Sequence, residues 1–121
     1  MAQPLIDRVL HDARTIIADR GHLLYGFEAV GADGHECDAC SHEARRFRAV
    51  GALIHAAYGL TGDHDLAHRL GWQIAGMIAA AANLRRVDDG EPGWSLALLS
   101  DTRGQAAVLG AVDSLIGQRR A

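Results

Sequence analysis

The chain has 121 residues and a mass of 12.9 kDa, one domain's worth of material. Hydrophobic residues make up 49% of it, but 22 of them are Ala and aromatics are only 5%, so Leu and Ala must fill the core and let helices approach closely. All 12 basic residues are Arg, which excludes a Schiff-base or P-loop lysine; a net charge of −3 and a pI near 6.1 disfavour a nucleic-acid partner.

The first helix is expected from Pro4 to Arg20. Leu5, Ile6, Val9, Leu10, Ala13, Ile16 and Ile17 repeat with the helical period. Pro4 suits a first helical position and Gly21 a stop. From Leu23 to Val30 the chain reads as a strand, and Asp33-Gly34 is a hairpin turn signal with a short return strand through His35 and Cys37.

A second helix is expected from Ser41 or His42 to Tyr58, burying Phe47, Val50, Gly51, Ile54 and Ala57 and stopping at Gly59. Gly51 inside it costs about 1 kcal/mol relative to Ala, so another element should approach closely there. The third helix is expected from Asp63 to about Arg85. One apolar stripe on it is Leu66, Leu70, Ile74, Met77, Ile78 and Ala81; a small-residue stripe, Gly71, Ala75, Ala79 and Ala82, is expected to pack on Gly51.

Asp88 to Gly93 reads as an acidic loop, followed by Trp94 and a short apolar run from Leu96 to Leu99. The fourth helix follows, with Thr102 and Gln105 at capping-box spacing and Gly117 at its end. The expected fold is therefore mainly α: a four-helix compact domain with one small β-hairpin between helices one and two, as a single domain over residues 1–121. The longest apolar stretch, Ile74 to Ala82, is far short of the ~20 residues of a membrane span. With no leader pattern before Asp7 and Arg8, the expectation is a cytoplasmic protein without a membrane partner.

Chemistry concentrates between His35 and His42, where Cys37 and Cys40 form a Cys-x-x-Cys pair bracketed by histidines. Thiolates and imidazoles are zinc ligands, and a two-residue gap lets two sulfurs bind one ion. His64 and His68, four apart on the third helix, share one face. Two ligand sets follow: His35, Cys37, Cys40 and His42, or Cys37 and Cys40 with His64 and His68. The cysteines are alternatively redox-active, since a helix N-terminus lowers a thiol pKa, or plain loop residues. Arg45, Arg46 and Arg48 form a basic cluster on the second helix. Trp94 beside the acidic loop is a candidate anchor for a protein partner, with Arg45 and Arg48.

Several stretches together resemble a known family. Arg20-Gly21-His22 at a helix end, Asp33-Gly34, the run from Arg46 to Leu53 centred on Gly51-Ala52-Leu53, and Leu99-Ser100-Asp101 before the last helix resemble a family of small bacterial and phage-associated helical proteins, a domain of unknown function. That resemblance implies the architecture and no activity. The leading expectation is a non-enzymatic protein-binding or regulatory domain that self-associates as a homodimer or engages a protein partner; its first rival is a zinc-type metal-binding protein, and a third alternative is a small enzyme with a histidine acid–base such as His55 near Tyr58.

Overall fold

The computed structural model describes residues 2–20, 28–84 and 93–120. Five helices lie among them, α1 Ala2–Arg20, α2 Ala49–Thr61, α3 His64–Ala81, α4 Gly93–Arg103 and α5 Gln105–Arg120, with strands β1 Ala29–Gly31, β2 Glu36–Cys37 and β3 Ala44–Phe47 between α1 and α2. The mainly α class is as expected, with one helix and one strand more than the sequence suggested. Leu23 to Phe27, Arg85-Arg86 and most of the acidic loop fall outside the described residues.

The hairpin forms where Asp33-Gly34 places it. Gly34 has φ +82° and its N–H donates to Gly31 O at 3.0 Å, while β1 and β2 pair antiparallel. The missed strand is β3. It lies on the other side of β1, giving the sheet order β2-β1-β3, with Ala29 opposite Phe47, Val30 opposite Arg46 and a bulge before Gly31 opposite Ala44. Across residues 44–47 Ala44 and Phe47 are buried, Arg45 is exposed and Arg46 half-buried, a pattern out of strict alternation beside the bulge. Pairing with β1 therefore overrides a segment whose local composition suits a helix, and α2 begins only at Ala49. Arg45 and Arg46 consequently stand on a strand, and Arg48 is the residue before α2.

Helix ends moved for identifiable reasons. α2 runs past Gly59 to Thr61, because the residue that takes the left-handed conformation is Gly62, φ +67°, whose N–H donates to Tyr58 O at 2.8 Å. α3 stops at Ala81, short of Arg85, where Asn83 turns left-handed at φ +55°. The Thr102–Gln105 box does not form. Thr102 Oγ1 donates back to Leu98 O inside α4, Gly104 at φ +79° separates α4 from α5, and Gln105 Nε2 donates to Ile17 O at 2.9 Å at the end of α1. α5 continues through Gly117 to Arg120.

The core joins α1, α2, α3, α4, α5 and the ribbon around Val9, Leu10, Phe47, Leu53, Ile54, Ile74, Ile78, Leu96, Val108 and Val112, all almost fully buried. Close approach explains two glycines, though not as one pair. A Cβ on Gly71 would lie 3.1 Å from Ile54 N and nearer still to its Cγ1, so α3 rests on α2 at Ile54. Gly51 instead faces the backbone of Glu28, entering β1; a Cβ there would lie 2.9 Å from Glu28 C and closer to its oxygen. That oxygen accepts from Arg48 N–H at 3.0 Å, just before the first turn of α2. Gly51 thereby fixes where the ribbon enters, and with it everything the ribbon carries.

Candidate metal centre

The turn after β2 is built on Asp38. Its Oδ1 accepts from Cys40 N–H at 2.7 Å, and its carbonyl accepts from Ser41 N–H at 2.9 Å, an Asx-type arrangement that Asp or Asn can make and in which Asp adds a charge. From below, α2 pins the same turn: His55 Nδ1 lies 2.7 Å from the carbonyl of Ala39, which makes Nδ1 the donor, and its ring packs 4.7 Å from that of Phe47. Ala39 is fully buried and Cys40 nearly so. His55, the candidate acid–base, thus holds backbone.

α3 begins opposite this turn. Asp63 caps it by accepting from Leu66 N–H at 3.0 Å, which sets His64 and His68 on one face of the first turns, ring centroids 4.5 Å apart. Both imidazoles point Nε2 at Asp38. His64 Nε2 lies 2.9 Å from Asp38 Oδ2, and His68 Nε2 lies 3.4 Å from Asp38 Oδ1. On their far sides, His64 Nδ1 is 3.4 Å from Asp65 and His68 Nδ1 is 3.8 Å from Glu28 Oε2.

Asp38, Cys40, His64 and His68 therefore form a group whose ligand atoms all lie within 4.8 Å of one another. Tetrahedral zinc, with bonds of about 2.0–2.3 Å, spaces its ligand atoms by roughly 3.3–3.7 Å. Closing on an ion requires the widest pair to contract by about 1 Å, within the reach of side-chain rotation on a turn and a helix end.

Electrostatics favours a cation here. The Asp38 side chain is 44% exposed; what burial it has opposes its ionisation, yet the Cys40 N–H and the two imidazoles hold its carboxyl well below the usual range. The bond to Asp38, helped by Asp65, raises His64 above its ordinary value. Burial first, and then the negative Asp38, push the Cys40 thiol up to about 12. The expected activation of Cys40 by a helix N-terminus is absent because α2 starts nine residues later; burial also raises Cys37. A thiol in this field ionises when a cation replaces its proton.

Of the two expected ligand sets, Cys40, His64 and His68 come together from the second. Cys37 stays on β2, its place in the group taken by Asp38. His35 and His42 lie outside it: His35 is exposed beside Asp33 at 3.3 Å, and the carbonyl of exposed His42 accepts from Arg45. Asp38 was missed because an acidic residue between two cysteines reads as a turn former. The usable signal was the pairing of Asp38-x-Cys40 with the later His-x-x-x-His.

The partner-binding candidates sit on separate elements. Arg45 donates to the carbonyls of His42 and Ala44. Arg48 is paired through both Nε and a terminal nitrogen with Asp101. Trp94 on α4 is 44% exposed and packs its ring 5.3 Å from Trp72; together they line a cleft of about 970 Å³ along α3, one end of which is His68. Among the described residues no helix is long and apolar enough to cross a membrane.

The chain matches no protein-family model, no curated protein and no solved structure.

Proposed function

We propose that this chain is a zinc-type metal-binding protein in which Asp38, Cys40, His64 and His68 hold one divalent ion. The observation that carries the reading is the convergence of four ligand atoms within 4.8 Å from two segments 24 residues apart in sequence, Cys40 to His64. The donor set is one thiolate, two imidazole Nε2 atoms and one carboxylate, which suits zinc. Four protein donors close the coordination sphere, so the role is structural or regulatory and non-enzymatic. The ion fastens the turn after β2 to the start of α3, two segments that already meet through the hydrogen bonds of His64 and His68 to Asp38.

Binding to the folded state adds stability as RT ln(1 + [L]/Kd), about 4 kcal/mol at a thousandfold excess over Kd. The test is elemental analysis of protein purified without a His-tag, followed by Zn(II) titration with thermal melting. One equivalent of zinc and a raised melting midpoint, both lost in Cys40→Ser and His64→Ala, are expected. Protein that takes up no zinc, with melting indifferent to zinc and to chelator, removes the reading.

A second reading, association with a protein partner or a second copy, is favoured by Trp94 and Leu98, one turn apart on α4 and 44% and 51% exposed. Light scattering separates it: Trp94→Ser and Leu98→Ser should dissociate a dimer. A wild-type chain that is monomeric and retains no partner speaks against it.

A further inference from the structure

We propose that Glu28 is a positioning residue of the metal centre, an outer carboxylate that holds the His68 ring by Nδ1 so that Nε2 stays aimed at the ion; this rests on the metal-binding reading above. His68 is placed between two carboxylates. Nε2 faces Asp38 Oδ1 at 3.4 Å and Nδ1 faces Glu28 Oε2 at 3.8 Å. An ion on Nε2 withdraws electron density from the ring and makes Nδ1–H a stronger donor, so the carboxylate opposite it gains attraction when the site loads. In return it limits rotation of the ring and keeps Nε2 directed at the ion.

The location of Glu28 is a property of the fold. Its carbonyl accepts from Arg48 N–H at 3.0 Å, and its backbone lies against Gly51, where any side chain would displace it. The Glu28 side chain is not what makes these contacts, so it can be changed while the backbone stays in place. Burial separates this pair from the other outer carboxylate. His68 and Glu28 are 25% and 35% exposed, whereas His64 and Asp65 are 55% and 92% exposed, and solvent screens the second pair far more strongly. Glu28 also reaches the centre from a third segment, so a loaded site couples the entry of β1 to the turn after β2 and to α3.

Removal of an outer partner of a metal-bound histidine weakens binding by about 10–100-fold. The experiment is Co(II) binding to the full chain, read by competition with a chromogenic chelator, for wild type, Glu28→Gln, Glu28→Ala and Glu36→Gln. Glu36→Gln removes the same charge from the exposed outer strand and controls for the general field. Expected are an affinity loss of about tenfold or more for Glu28→Ala, a smaller loss for Glu28→Gln, which keeps an acceptor, and wild-type affinity for Glu36→Gln, with equal melting of all four metal-free proteins. In Zn(II)-loaded protein, the His68 ring nitrogen resonances should shift in Glu28→Gln and not in Glu36→Gln. Wild-type affinity and unshifted His68 resonances in both Glu28 variants overturn the proposal while leaving the metal centre standing. A wild-type chain that binds neither Co(II) nor Zn(II) overturns the centre itself, and the role of Glu28 with it.

Discussion

Replacing Gly51 by Ala asks whether the ribbon is truly seated on the first turn of α2. In an ordinary helix interior the change stabilises by about 1 kcal/mol. Here the new Cβ would meet Glu28 C at 2.9 Å and the carbonyl oxygen closer still, against an ordinary separation of about 3.5 Å or more. Backbone cannot rotate away as a side chain can. Residue 28 must retreat, stretching the Arg48 N–H bond to its oxygen, worth about 1 kcal/mol, and forcing overpacking that costs about 1–3 kcal/mol. After the helical gain is subtracted, the net loss is about 2 kcal/mol, a fall in melting midpoint of about 8 °C for a domain of this size. Gly59, in the same helix, has nothing within 4 Å of its Cβ position, and Gly59→Ala should stabilise by up to about 1 kcal/mol. Urea unfolding of both variants at constant m-value reads the difference. Equal or greater stability of Gly51→Ala would show that the ribbon does not rest where the structure has it.

Gly71→Ala should also destabilise, by about 1–2 kcal/mol, and should cost less in an Ile54→Ala background, since the clash includes Ile54 Cγ1, which Ala lacks; denaturant midpoints of the double-mutant cycle check this. Asp101→Asn leaves the half-buried Arg48 guanidinium without its counter-charge, and a loss of about 1–3 kcal/mol, between the surface and buried limits, is expected by thermal unfolding. Arg14 Nε donates to Asp113 at 2.6 Å, and chiefly through that hydrogen bond the Asp113 carboxyl is held below its ordinary value. A depressed folded-state pKa contributes stability above the unfolded value, near 3.9, and loses it as pH falls through the lower folded value. Asp113→Asn should therefore lower stability at neutral pH and flatten its acid limb, with the two proteins converging at the acid end; parallel curves from pH 6 to pH 2 would refute this.

The site was partly legible. His64 and His68 could be paired from their spacing because an α-helix repeats regardless of what packs on it, and Asp63 marks the start of that helix by capping chemistry that is local. Cys40 stood out by residue type. Asp38 did not, because its meaning depends on what lies across the turn, and that is decided by where α3 begins in space. Cys37 has the spacing to Cys40 that suits one ion, yet a strand sends it along the sheet while the turn sends Cys40 inward to nine-tenths burial. The same division runs through the fold. Periodicity located α1 and α3, and Asp33-Gly34 located the hairpin. Residues 44–47 carry no helical breaker and became a strand only because β1 had an open edge. The run from Gly93 is too short and too apolar to show a helical face, and became α4 by burial of Leu96 and Ala97.

By itself, then, the chain determined a mainly helical domain, the tight turn of its ribbon, the paired histidines and the need for close approach at Gly51 and Gly71. Those are consequences of bond rotation, side-chain period and residue size, which act over a few neighbours. Tertiary structure decided that Gly51 receives Glu28 rather than α3, that β3 joins the sheet, and that Asp38 meets Cys40, His64 and His68. Each depends on segments distant in sequence meeting in space, and no local preference encodes which backbone or charge arrives on the other side.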